Sequence, residues 1–177
     1  SSSGWFPKDV GALQRPELRE GRTPRSINMS TIGDDLLRPA SSSFGPQIEA
    51  LVVYNSNPMA VAPESSKVAA GLARDDLFTV GLEHFLTDTA DYADYVLPAT
   101  TQLEHLDVHT SYGHTYALIN EQAIAPLGEA KPNTQIFREL AQHMGFTDAY
   151  FRDIHEELAC SAFKRDVGLA ALREHGW

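Results

Sequence analysis

Three clusters of polar side chains carry the chemistry open to this sequence. The first is Asn55-Ser56-Asn57-Pro58, which offers two amides, a hydroxyl and backbone N–H groups in one short stretch. Amides both donate and accept, so such a stretch suits a diphosphate or the edge of a flat heterocycle. It also suits a plain turn, since Asn tolerates left-handed backbone and proline fixes the next φ. The second cluster runs from Glu83-His84 to Thr87-Asp88-Thr89. A carboxylate at Asp88 can accept two hydrogen bonds from a planar pair of donors. The competing reading has Asp88 or Thr87 capping a turn through Thr89 and Ala90. Glu83 and His84 are candidates for contact with a cofactor or a substrate funnel. The third cluster is Glu104-His105, Asp107, His109 and His114. These are metal-capable groups, but their spacing is irregular and no cysteine accompanies them, so loop-pinning or solvated histidines are the default reading.

The elements that must position these groups are legible from periodicity. Leu51-Val52-Val53-Tyr54 is a short apolar run closed by turn residues, the pattern of a strand buried on both faces. Pro63 stands ahead of Glu64-Ser65-Ser66, and Val68, Ala69, Leu72 and Ala73 then recur at helical spacing. A second apolar run, Leu77 to Leu82, ends in Glu83-His84. Strand, helix, strand in close succession is a βαβ unit with parallel, neighbouring strands and a right-handed crossover. Ligands of open parallel sheets bind outside the carboxyl ends of the strands. That rule selects the loops 55–58 and 83–89.

Elsewhere the signals are shorter. Ser30-Thr31 cap a short helix that ends by Pro39. Asp88 to Ala93 suits one helical turn, with Asp94 holding loop N–H groups ahead of a strand at Tyr95-Val96-Leu97. Residues 100–111 read as extended loop or short turn. Thr115 to Ile119 suggests a strand with Ala123-Ile124 as partner. Asn133 caps a helix with Ile136, Phe137, Leu140, Ala141 and Met144 on one face, closed by Gly145. Residues 149–163 predict a helix burying Phe151, Ile154, Leu158 and Ala159, with Cys160 in an apolar role, and 166–174 predict another. Residues 1–25, rich in Ser, Gly, Pro and charges, read as a linker or partly ordered arm; Trp5-Phe6 and Leu13 are its apolar residues. Residues 26–177 read as one α/β domain. Its expected form is a doubly wound, mostly parallel, Rossmann-like sheet with helices on both faces.

The order Asn57-Pro58 after a strand, a strand ending near His84-Phe85, the run Thr87-Asp88-Thr89-Ala90-Asp91-Tyr92-Ala93-Asp94-Tyr95-Val96-Leu97-Pro98 and then Glu104 resembles the molybdopterin oxidoreductases of dimethyl-sulfoxide-reductase type. The resemblance runs from about Arg25-Ser26-Ile27-Asn28-Met29 to the helix ending near Gly145. It implies a molybdenum or tungsten bis(molybdopterin guanine dinucleotide) cofactor. One guanine dinucleotide arm would lie against Asn55, Ser56, Asn57, Pro58, Glu83, His84, Thr87, Asp88 and Thr89, with His114, after Ser111-Tyr112-Gly113, facing the metal centre. It also implies a longer parent enzyme, whose upstream part carries the metal ligand and, in many members, an iron–sulfur cluster. This chain would then be one cofactor-binding domain, inactive alone, in an enzyme performing two-electron redox or oxygen-atom transfer on a small substrate. Its partners would be the rest of the parent chain, the small-molecule substrate and an electron-transfer subunit. The alternative is a non-catalytic α/β binding or assembly module related to that family.

Composition narrows the field further. The 177 residues carry a formal net charge of −10, which gives no electrostatic case for nucleic acid. No apolar run approaches the roughly 20 residues that span a bilayer. The single cysteine excludes an internal disulfide, a cysteine-held cluster and a four-cysteine zinc site. No Gly-x-Gly-x-x-Gly, Gly-x-Ser-x-Gly, glycine-rich phosphate loop or His-Glu-x-x-His occurs, which removes support for nicotinamide dehydrogenases, hydrolases and nucleoside triphosphatases. The compartment, cytoplasmic or periplasmic, is not written in these residues.

Overall fold

A computed structural model describes residues 17, 21–110, 116–161 and 168–176. The sequence reading of 1–25 falls mostly outside these, as do His114 and the 162–167 part of the two carboxy-terminal helix readings. The chain divides into two compact units, Pro24–Ala99 and the remainder.

Within 24–99, a 3₁₀ turn at Met29–Thr31 leads into α1 (Ile32–Leu37). The Asn28 side chain caps that turn by accepting from the Ser30 N–H at 2.9 Å. Then follow β1 (Ala50–Tyr54), the four-residue α2 (Pro58–Val61), α3 (Ser65–Leu72), β2 (Phe78–Glu83) and β3 (Tyr95–Pro98). The strands form a parallel sheet in the order β1-β2-β3. Val52 stands opposite Val80 and Tyr54 opposite Leu82, while Val80 faces Tyr95 and Leu82 faces Leu97. Pro98 can close β3 because the next N–H, that of Ala99, donates to the Glu83 carbonyl at 3.0 Å.

Leu36, Ala62, Val68, Leu72 and Leu77 form the core here, with Ile32, Ile48, Leu51 and Met59 packed on it. Two glycines let α1 and α3 approach. A Cβ on Gly71 would lie 2.6 Å from Leu36 Cβ, and one on Gly33 would lie 2.9 Å from Lys67 Cβ. Arg74 ties the layers together, its guanidinium donating to the carbonyls of Leu36 and, at 3.1 Å, Ile48. Asp94 hooks the entry of β3 to β2: its carboxylate accepts from the Thr79 N–H at 2.7 Å and its own N–H donates back at 2.8 Å.

The α/β class and the parallel sheet match the sequence reading. The burial of β1 does not. Val53 is buried and Leu51 packs on the core, but Val52 and Tyr54 are 50% and 46% exposed, so the strand is covered on one face only. α1 and α3 pack on the Leu51 side of the sheet, and both steps, β1 to β2 and β2 to β3, advance in the same direction. Right-handed connections then stay on one side.

In residues 100–176 the organising group is a buried carboxylate. Glu104 ends a 3₁₀ turn at Gln102–Glu104 and is 5% exposed. Its Oε2 accepts from the N–H and hydroxyl of Thr101, both at 2.7 Å, in a capping box. Its Oε1 accepts from the Leu127 N–H at 2.7 Å, pinning a loop distant in sequence. Next come β4 (Asp107–Thr110) and β5 (Ala117–Asn120), which pair antiparallel, then α4 (Asn133–His143), α5 (His155–Ser161) and α6 (Leu169–His175). Ala117, Leu169 and Leu172 make the buried cluster of this unit.

Several readings change here. The stretch 100–111 holds a strand, β4, and it is β4 rather than Ala123-Ile124 that pairs with β5. The N–H groups of Ala123 and Ile124 instead share the Leu103 carbonyl at 2.9 and 3.1 Å. The helix expected at 149–163 is interrupted. A 3₁₀ turn occupies Ala149–Arg152, and the Glu157 carboxylate captures the Ile154 N–H at 2.8 Å, so α5 starts afresh at His155. That restart leaves Ile154 55% exposed and Cys160 exposed rather than in an apolar interior. On α4 only Ile136 and Ala141 of the expected apolar face are buried. Gly145 closes that helix with φ of 81°, as its position predicts.

Candidate functional site

The loops singled out by the strand-end rule are brought side by side by the parallel pairing of β1 and β2. The chain turns out of β1 through Asn55, whose φ of 52° is left-handed, the conformation that asparagine accepts more readily than most residues. Asn55 is exposed and Ser56 half-buried. Asn57 precedes α2, and Pro58, buried, is its first residue, where a missing N–H costs nothing.

The second loop is locked to the first. The Thr89 hydroxyl donates to Asn57 Oδ1 at 2.6 Å and accepts from the Met59 N–H at 3.1 Å. Thr89 is only 2% exposed, so this contact fastens the two strand ends in a dry environment. Thr87 Oγ1 accepts from the Ala90 N–H at 3.3 Å and its carbonyl accepts from Asp91 at 3.2 Å, which starts the 3₁₀ turn Ala90–Tyr92. Glu83 Oε2 accepts from the His84 N–H at 3.3 Å. His84 and Asp88 are exposed.

The residues named from sequence thus divide into two sets. Asn57, Pro58, Thr87 and Thr89 build and fasten the rim. Asn55, Ser56, Glu83, His84 and Asp88 present polar groups along it. His114 lies outside the described residues. Sequence reasoning passed over Phe85 and Leu86, which are 75% and 81% exposed between polar neighbours. Two large apolar side chains inside an otherwise polar loop were the available signal, since open water gives them nothing to bury against.

The histidine-rich stretch forms no metal centre among the described residues. Glu104 is consumed as a cap, and His105 Nδ1 shares a hydrogen with the Thr100 hydroxyl at 2.9 Å. Gln102 stands 3.5 Å from His109 Nε2. No described helix is long and apolar enough to cross a membrane.

Comparison with known proteins meets the same residues. The sequence model of the molybdopterin oxidoreductase family matches residues 23–143, which include the whole rim. The chain belongs to that family. It is 49% identical over 157 residues to the probable oxidoreductase YoaE of Bacillus subtilis (strain 168), covering 89% of this chain and 22% of that one. The probable oxidoreductase YyaE of the same strain is 34% identical over 168 residues, covering 93% and 24%. The thiosulfate reductase molybdopterin-containing subunit PhsA of Salmonella typhimurium is 32% identical over 105 residues, covering 58% and 14%. Among solved structures, acetylene hydratase from Pelobacter acetylenicus superposes with a TM-score of 0.57 at 27% identity, over 77% of this chain and 19% of that one. The chain therefore spans under a quarter of the length of the curated relatives it matches.

Proposed function

We propose that this chain is one cofactor-holding segment of a longer molybdopterin oxidoreductase, and that the rim at 55–58 and 83–89 seats one guanine dinucleotide arm of a bis(molybdopterin guanine dinucleotide) cofactor. The observation that carries this reading is the joining of the two strand-end loops by Thr89 and Asn57. It leaves an exposed carboxylate, Asp88, and exposed or half-exposed amide and hydroxyl groups, Asn55 and Ser56, along one shared edge.

The donor set fits the nucleotide end of such an arm. Residues 54–63 and 83–98 contain no lysine or arginine, so phosphate charge would be met here by backbone and amide dipoles alone. A carboxylate is a good partner for the N1–H and amino group of guanine and a poor one for phosphate. In this reading Asp88 reads the base, Asn55 and Ser56 hold polar edges of the nucleotide, and His84 with Phe85 and Leu86 shields one side from water. The bound cofactor supplies two-electron redox or oxygen-atom transfer on a small substrate. These residues contribute position and a fixed electrostatic setting. The metal ligand and any iron–sulfur cluster belong to other parts of the parent, so the isolated chain has neither metal nor activity.

The test is Asp88→Ala in the full-length parent enzyme. Molybdenum or tungsten and released guanine nucleotide, measured per protein, should fall several-fold while the melting temperature holds. Unchanged cofactor content and turnover would overturn the assignment of Asp88 to the guanine.

A further inference from the structure

At the end of β1 away from the rim, the chain gathers two arginines on one aromatic ring. The segment between α1 and β1 closes a tight loop: the Ser41 N–H donates to the Gly45 carbonyl at 3.0 Å, and the Gly45 N–H donates to the Ser41 carbonyl at 2.7 Å. Inside it the Ser41 hydroxyl accepts from the Phe44 N–H at 3.1 Å. These bonds fix the backbone that carries the Phe44 ring. The guanidinium carbon of Arg25 stands over that ring at 4.2 Å from its centroid, and that of Arg38 at 4.8 Å. Each contact is the attraction of a cation for a ring face. Two like charges avoid sharing one face, so the ring separates the guanidiniums and holds them apart.

Fastening the loop does not use up these groups. Arg25 donates from Nη1 alone, to the carbonyls of Phe44 and, at 2.9 Å, Pro46. Gly45, with φ of 91°, admits that approach, since a Cβ there would lie 3.2 Å from Arg25 Nη1. Among the described residues Arg25 has no carboxylate partner, and it is exposed. Arg38 gives Nη2 to Asp35 at 3.2 Å, and its side chain stays 49% exposed. Nε and Nη2 of Arg25 and Nε and Nη1 of Arg38 therefore keep N–H groups without a described acceptor. A guanidinium already held on a ring loses little freedom on meeting a carboxylate, which it takes through two parallel bonds. A clasp for the loop needs one such group; two on one ring, with donors to spare, make a receptor for two negative charges. In a chain of formal net charge −10, such a point draws an acidic partner that the rest of the surface repels. We propose that Arg25 and Arg38, held on Phe44, dock an acidic segment of a second protein, each guanidinium taking one carboxylate while the ring edge packs on the methylenes between them. A single phosphate is a poorer match, because one tetrahedral group does not reach both faces of the ring. The loop enters β1 at Ala50, whereas the rim leaves it at Tyr54, so the partner and the cofactor do not compete.

The experiment titrates the full-length parent enzyme into fluorescein-labelled decaglutamate at low ionic strength and reads anisotropy. Arg25→Gln and Arg38→Gln should each weaken binding several-fold. Phe44→Leu keeps every charge and should weaken it about threefold, through the lost ring face. Arg152→Gln, which removes an exposed arginine outside the loop, should leave it unchanged. Metal content per protein should hold in all four variants. Absence of binding by the parent, an equal loss in Arg152→Gln, or full binding by Phe44→Leu would each overturn the proposal. Displacement of the probe by inorganic phosphate, beyond that by chloride at matched ionic strength, would show a simple oxyanion site and overturn it too. Should Phe44→Leu lower the melting temperature, binding is read on Phe44→Tyr and Arg25→Lys, which keep the ring and the charge. The first should match the parent and the second should fall, since lysine lacks the planar fork; equal binding by the two would overturn the docking role.

Discussion

In residues 24–99 the weight rests on Leu36, Val68, Leu72 and Leu77, packed beneath a parallel sheet. In residues 100–176 it rests on Glu104, a buried carboxylate that accepts from Thr101 and Leu127, and on a small cluster around Leu169. The first unit is held by burial of area, which is non-directional and tolerant of small displacements. The second is held at one point by bonds that must keep their geometry, because a buried group left unpaired bears its full desolvation cost. Apolar packing suits a platform that carries two strand-end loops at its edge. A polar pin suits a region of short elements, where one side chain must hold loops far apart in sequence.

Substitutions can break or sharpen that contrast. Leu36→Ala empties the middle of the first core and should cost about 3–4 kcal/mol in urea unfolding. A cost below about 1 kcal/mol would show that α1 is not part of the platform. Glu104→Ala strips an acceptor from the N–H groups of Thr101 and Leu127 and should cost about 2–3 kcal/mol. Glu104→Gln should recover part of it, since one oxygen remains to accept. Thr89→Val removes the bridge to Asn57 and Met59 without changing shape, for an expected loss of roughly 1–2 kcal/mol together with weaker cofactor retention. Asp88→Ala, in the same loop but exposed, should leave stability within about 0.5 kcal/mol and act on retention alone. Equal stability losses for the two variants would undo the division between residues that build the rim and residues that face outward.

The smallest effect is a pH dependence in residues 100–176. Burial holds the His155 imidazole below its ordinary value of 6.5, with the charges of Arg138 and His105 adding to the shift. Its Nδ1 lies 2.7 Å from the Thr134 hydroxyl. The folded state therefore keeps this ring neutral where the unfolded chain takes up a proton. The contribution is complete above pH 6.5 and declines as pH falls through the lower folded value. Urea midpoints at pH 7.5 and 5.0 should differ less in His155→Gln than in the parent sequence; an identical difference would assign the acid sensitivity elsewhere.

How far the sequence could be read follows the range of the forces involved. Apolar runs at 51–54 and 77–82, helical spacing from Val68 to Leu72 and turn chemistry at 55–58 are local signals, and they placed the βαβ unit and both rim loops. Asp94 is structural as read, but its carboxylate takes the N–H of Thr79 in β2 rather than one from its own loop, a partner that only strand packing supplies. The partner of β5 was not legible, since any extended segment offers the same backbone groups and only chain closure chooses among them. The break before α5 hung on one side chain, Glu157, competing for one N–H. The five apolar positions expected to share a face of α4 do lie at helical spacing, yet Phe137, Leu140 and Met144 are 38%, 45% and 64% exposed.

By itself the sequence determined the class of fold, the two rim loops and the family, because each is set by residue type and short-range order along the chain. Tertiary structure alone decided that Thr89 and Asn57 fasten those loops, that Glu104 is buried as a pin, and that Val52 of β1 is left half exposed. Those outcomes depend on which distant groups meet and which meet nothing, and no local pattern records that.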